Sequence, residues 1–236
     1  DQPITIFIYT SEEDLQSTLV SVGQGWVSGH ADPARGAMVV ALPPAVDQPL
    51  EIQRLIPHEL THIMLYRFMG GEYQYLPTWF SEGLASQMEV YRLPEYKLAL
   101  ERAYQARVLI PFAHICQAFP PDGELAVLSY AQSDSLVGYL QREYGLSALQ
   151  AMINAYDQGV SCERGVEIAL GMTLQDLEKE WQRATFGSGN ILLYIYILGG
   201  VLVLLLLILG VFLFRKTRGT PEDDWGEEEE NDEPDQ

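Results

Sequence analysis

From Ile191 to Phe214 the chain runs 24 residues without a charged side chain. As an α-helix that run is about 36 Å long, enough to span a bilayer core with some tilt. A buried soluble helix of this length carries a polar stripe, and this segment has none. Tyr194 and Tyr196 stand near one end, as interfacial aromatic residues do, and Arg215, Lys216 and Arg218 follow the other. Cations beside a span mark its cytoplasmic side. The expectation is a single-pass protein of the cell membrane, with residues 1–189 extracytoplasmic and the C-terminal tail cytoplasmic. Export ordinarily needs a signal peptide, yet the sequence opens at Asp1, directly before an apparent strand. A processed chain, or a piece of a longer precursor, is therefore expected.

The net charge of −19 is unevenly spread. Residues 215–236 hold three basic and ten acidic groups, and from Thr220 on this acidic, low-complexity tail should be disordered. The preceding 214 residues hold 11 basic and 23 acidic groups, with no basic patch to neutralise phosphates. That argues against nucleic acid as a partner.

Chemistry concentrates in Pro57-His58-Glu59-Leu60-Thr61-His62 and, further on, Trp79-Phe80-Ser81-Glu82-Gly83. On a helix, His58 and His62 sit one above the other on a single face. Two imidazoles so placed can bind one Zn²⁺, and Glu59 beside them can act as general base toward water there. The plainer alternative is two surface histidines making local hydrogen bonds. His30 and His114 stand alone and read as surface or loop residues.

Residues 4–9 are β-branched and aromatic and predict a strand. Ser11 with Asp14 forms a capping box that opens a short helix to about Val20. Residues 26–31 and 37–42 flank a turn-rich Asp32–Gly36 and read as a hairpin. A helix over about 50–68 carries the histidines, with Pro57 kinking it or starting a fresh first turn. Helices follow over about 78–91 and 94–108, then an irregular piece with Pro111, Pro120 and Pro121. A helical cluster closes the soluble part: 128–144; a helix opened by a Ser147/Gln150 capping box; 162–170; and 173–185, capped by Thr173. Together these read as an α+β fold, with a small N-terminal mixed sheet, the histidine-bearing helix, a helical subdomain and one C-terminal transmembrane helix. The expected boundaries are 1–187 (about 1–92 and 93–187), a linker at 188–190, the span 191–214 and the tail 215–236.

The stretch from about Ile4 to Phe186 resembles the bacterial membrane-associated peptidase MA-like family of gluzincins. The resemblance rests on Pro57–His62, Leu76–Ala85, Ser129-Tyr130-Ala131-Gln132-Ser133 and Leu177-Glu178-Lys179-Glu180-Trp181. It implies a zinc metallopeptidase: Glu82 as third ligand beside His58 and His62, Glu59 as base, and peptides or proteins as substrates. Metzincins are not resembled, since residues 63–68 lack their glycine and third histidine. The resemblance also gives Ala37–Leu42 as the strand bordering the cleft and Tyr130 as the donor to the oxyanion. Trp79 and Phe80 should pack the Glu82 helix on the zinc helix, and Gly83 should let those two helices approach closely. Thermolysin-like proteins carry an aspartate three or four positions after the glutamate ligand; Ala85 and Ser86 stand here, so a ligand histidine must be oriented from elsewhere. The two cysteines, Cys116 and Cys162, face an oxidising compartment in the expected topology and are either bridged or two buried thiols; the resemblance favours the bridge. Two alternatives from other classes are a zinc-binding, membrane-tethered domain without turnover and a regulatory membrane protein acting through its acidic tail.

Overall fold

The computed structural model describes residues 2–19 and 28–217, and the chain divides after Gly187 into two units. The first opens with β1 (Thr5–Tyr9), α1 (Glu12–Thr18), β2 (Gly29–Asp32) and β3 (Ala37–Ala41). Ser11 caps α1 by accepting from the Asp14 amide, as the capping box requires. β3 lies at the centre of the sheet, parallel to β1 with Thr5 opposite Ala37, and antiparallel to β2 with Gly29 opposite Val40. This corrects the role expected for Ala37–Leu42. With partners on both sides β3 has no edge to offer a substrate backbone; β1 and β2 are the two edge strands. Residues 26–27 of the expected hairpin lie outside the described residues.

α2 (Gln48–Met69) is continuous through Pro57, so the fresh first turn expected there does not occur. A prolyl nitrogen has no hydrogen for the carbonyl four residues back, which here is Gln53. That carbonyl instead accepts the amide of Val90 at 3.0 Å, just beyond the end of α3 (Thr78–Met88). The donor missing from Pro57 thus leaves room for a tie between the two helices.

The other end of α3 is also fastened. The Thr78 amide donates to the Cys116 carbonyl at 2.7 Å, and Cys116 is joined to Cys162 by a disulfide with Cα atoms 6.0 Å apart. Exchanging both cysteines for alanine removes a tie across 46 residues. The expected loss is about 4 kcal/mol, read in thermal unfolding as a midpoint roughly 10 °C lower. An unchanged midpoint would show that the bridge does not stabilise the fold.

α4 (Pro94–Ala106), α5 (Gly123–Tyr144), α6 (Leu146–Tyr156), α7 (Cys162–Leu170) and α8 (Leu174–Phe186) complete this unit. α5 starts ahead of the expected Leu128 because Asp122 caps it, accepting from the Glu124 and Leu125 amides. The Ser147 capping box does not form. Gly145 serves as N-cap and turns directly from α5 into α6, leaving Ser147 already inside the first turn.

Trp79, Phe80, Phe112, Tyr156 and Trp181 are fully buried in one core. Trp79 packs edge-on against Phe112 and Phe80 lies against Tyr156, while Leu65 and Met69 of α2 join the same core. Packing against α2 is therefore only half of what Trp79 and Phe80 do. Gly83 differs more from expectation. A Cβ there would lie 2.5 Å from the Ser133 carbonyl oxygen and from Val137 Cγ2, so this glycine brings α3 against α5, not α2.

The second unit contains α9 (Ser188–Thr217), which includes residues 188–190, expected as a linker. Its Tyr194–Phe214 stretch, with mean hydropathy 3.1, is long and apolar enough to cross a membrane. The tail expected to be disordered lies outside the described residues.

Candidate metal centre

α2 supplies His58, Glu59 and His62, and α3 supplies Glu82. The helical spacing places the two imidazoles edge-on to each other with ring centroids 5.1 Å apart. Nε2 of each faces the same oxygen, Glu82 Oε2, at 3.1 Å from His58 and 3.5 Å from His62. One potential ligand atom from each of the three residues lies within 4.8 Å of the others.

The second ring nitrogens are also held. His58 Nδ1 donates to Glu89 Oε1 at 2.8 Å, and His62 Nδ1 shares a hydrogen bond with the Tyr73 hydroxyl at 3.1 Å. Neither partner was singled out from the sequence. Glu89 had a usable signal: it follows Glu82 by seven residues, two turns along one helix face. The orienting carboxylate missing at Ala85 and Ser86 is found one turn further on. Tyr73 had no signal, since it sits in a 3₁₀ segment (Gly70–Tyr75) with nothing to set it apart from Tyr75.

Electrostatics separate the two glutamates of the motifs. Burial alone would lower the His58 imidazole, but its hydrogen bonds to Glu82 and Glu89 outweigh that and raise it to about 10. Burial would also raise the Glu82 carboxyl; the charge of His62 and hydrogen bonds from both histidines instead hold it well below the usual carboxylate range. For Glu59 burial wins and raises the carboxyl, with His58 and His62 only partly offsetting it.

Edge strand β2 runs close to Glu59: a Cβ at Gly29 would lie 2.5 Å from Glu59 Oε1, so a larger residue there would push the Glu59 carboxylate aside. A cavity of about 260 Å³ opens beside His58 and Glu59, with Gly29 and Tyr130 among its walls. A cleft of about 750 Å³ opens on the side of Glu82 and Tyr73. Tyr130 comes from α5, with its ring 6.1 Å from that of His58, stacked on Tyr96 at 6.4 Å and met edge-on by Phe119 at 4.9 Å. Burial pushes its hydroxyl well above the usual range, so it keeps its proton. His30 and His114 are exposed and stand outside the group.

Two imidazoles and one carboxylate, converging and with both back nitrogens hydrogen-bonded, suit Zn²⁺, which takes such ligands tetrahedrally and leaves a fourth position open. The residues fit that ion.

A small mixed sheet beside a helix carrying a histidine pair and a glutamate, with a further carboxylate brought in by the next helix, defines a metallopeptidase-like domain. The chain matches the family model of the peptidase MA superfamily over residues 1–187 and belongs to that superfamily. No match was found among curated proteins or among solved structures.

Proposed function

We propose that this protein is a membrane-anchored zinc metallopeptidase that hydrolyses peptide bonds. The observation carrying the proposal is the convergence of His58, His62 and Glu82 within 4.8 Å, with the buried Glu59 on the same helix. His58, His62 and Glu82 would hold the ion. Zn²⁺ supplies Lewis acidity there, polarising a scissile carbonyl and acidifying water.

The remaining work belongs to side chains and backbone. Glu59, buried beside the two histidines on α2, takes the proton of the attacking water and delivers it to the leaving amine. Tyr130, kept protonated, donates to the oxyanion of the tetrahedral intermediate. β2, the edge strand beside Glu59, aligns an extended substrate through backbone hydrogen bonds. Glu89 and Tyr73 fix the ring orientation of the two histidines.

The apolar helix Tyr194–Phe214 anchors the protein, and the cations following it put the peptidase domain outside and the acidic tail in the cytoplasm. The test is metal content together with cleavage of a diverse peptide pool by the purified full-length chain. One zinc per chain and cleavage abolished by a chelator are expected. Bound zinc with no cleavage of any peptide would favour the domain without turnover.

A further inference from the structure

The cavity beside His58 and Glu59 contains a charge that the proposed mechanism does not use. Its walls are Ser28, Gly29, Leu55, Leu93, Val127, Tyr96 and Tyr130, the two site residues, and Arg54. Arg54 precedes His58 by four residues, one turn of α2, and thus shares the face that carries the histidines. Its side chain is only 15% exposed. Across a protein with more than twice as many acidic as basic groups, a cation sunk into this wall needs a counterpart.

Glu51 meets part of that need. Arg54 Nε and Nη2 both donate to one oxygen, Glu51 Oε2, at 3.1 and 2.5 Å. A guanidinium has five N–H groups, so three remain, and these donate to no described residue. The pair with Glu51 also fixes the plane of the guanidinium, which is what a bidentate ligand requires. The other walls that are not part of the motif are apolar or neutral. Tyr96 is one of these, since burial raises its hydroxyl above the usual range and keeps it a neutral donor. The larger cleft on the Glu82 side shows the opposite character, with Glu163 and no cation in its lining.

We infer that the 260 Å³ cavity is a specificity pocket for a peptide carboxylate next to the scissile bond, with Arg54 as its counter-charge. The inference rests on the peptidase proposal and names a class of substrate for it. The carboxylate belongs either to an aspartate or glutamate side chain beside the cleaved bond or to the free C-terminus of the peptide, which would make the enzyme a carboxypeptidase. Its planar geometry matches the open edge of Arg54, and the cavity volume accommodates a single side chain.

The experiment uses zinc-loaded, full-length protein and matched peptides: glutamate against glutamine at each position flanking the cleaved bond, and a free C-terminal acid against its amide. The expected result is a kcat/KM about tenfold or more higher for one carboxylate series, the size of a charge-assisted hydrogen bond. A preference confined to the side-chain series identifies an acidic residue, and one confined to the terminus identifies carboxypeptidase action. Arg54→Gln should abolish the discrimination and Arg54→Lys should retain part of it. A merely structural Arg54 would instead lower both members of a pair alike. Equal rates for acid and neutral peptides in the wild type, or a preference that survives Arg54→Gln, overturn the inference. Fluorescence anisotropy of the same peptides on zinc-loaded Glu59→Gln reads recognition without turnover. Carboxylate-selective binding with no cleavage by the wild type would sink the peptidase proposal and keep the pocket; binding without that selectivity, or none, would sink the pocket.

Discussion

Glu59→Gln should retain its zinc and lose about 10²- to 10⁴-fold in kcat, the range that positioned general bases contribute. Glutamine keeps the size and polarity of the side chain, so packing against Gly29 is undisturbed. What disappears is the carboxylate that accepts a proton. In this site that carboxylate is buried to 5% exposure and directly follows His58 on α2. Neither property concerns the Nε2 atoms that face Glu82. Metal analysis and steady-state kinetics on one preparation separate the two roles. Activity within a few-fold of wild type would remove Glu59 as the base, and loss of zinc would reassign it to metal binding.

The second large effect is on metal retention, and it is graded. Glu82→Ala removes the oxygen on which both Nε2 atoms converge and leaves two imidazoles to hold the ion, so the protein should lose its zinc on dialysis. Glu89→Gln leaves every proposed ligand in place and only removes the charge from the hydrogen bond to His58 Nδ1. Zinc affinity should fall about 10- to 100-fold, the usual cost of disturbing such a partner. Competition against a chelator of known affinity ranks the three proteins. Full occupancy in Glu82→Ala would sink the third-ligand assignment, and wild-type affinity in Glu89→Gln would deny the orienting role.

Local structure was largely legible because its causes are local. The caps at Ser11 and Thr173 follow from side chains within three residues of the amides they accept. Where the reading failed locally, a neighbour competed better: Asp122 capped α5 early, and Gly145 took the place of a Ser147 cap. Pro57 was a different case. Locally it reads as a kink or a fresh first turn, yet the helix runs on, and the acceptor it freed is used by Val90, 37 residues from Gln53; no local rule supplies that.

By itself the sequence determined the period that stacks His58 over His62, the apolar run of α9, and the family resemblance that pointed to Glu82 and to a bridge between Cys116 and Cys162. The first two are matters of spacing and composition along the chain; the last two are what the resemblance implies. Only the tertiary structure decided which strand lies at the centre of the sheet, which helix Gly83 admits, and that Glu89 and Tyr73 lie behind the two histidines. The physical reason is that each depends on where α3 lies against α2 and α5. That placement is set jointly by a disulfide-anchored loop at one end, the Gln53–Val90 hydrogen bond at the other, and a close backbone approach at Gly83. Such a balance among distant contacts has no signature in any short window of sequence.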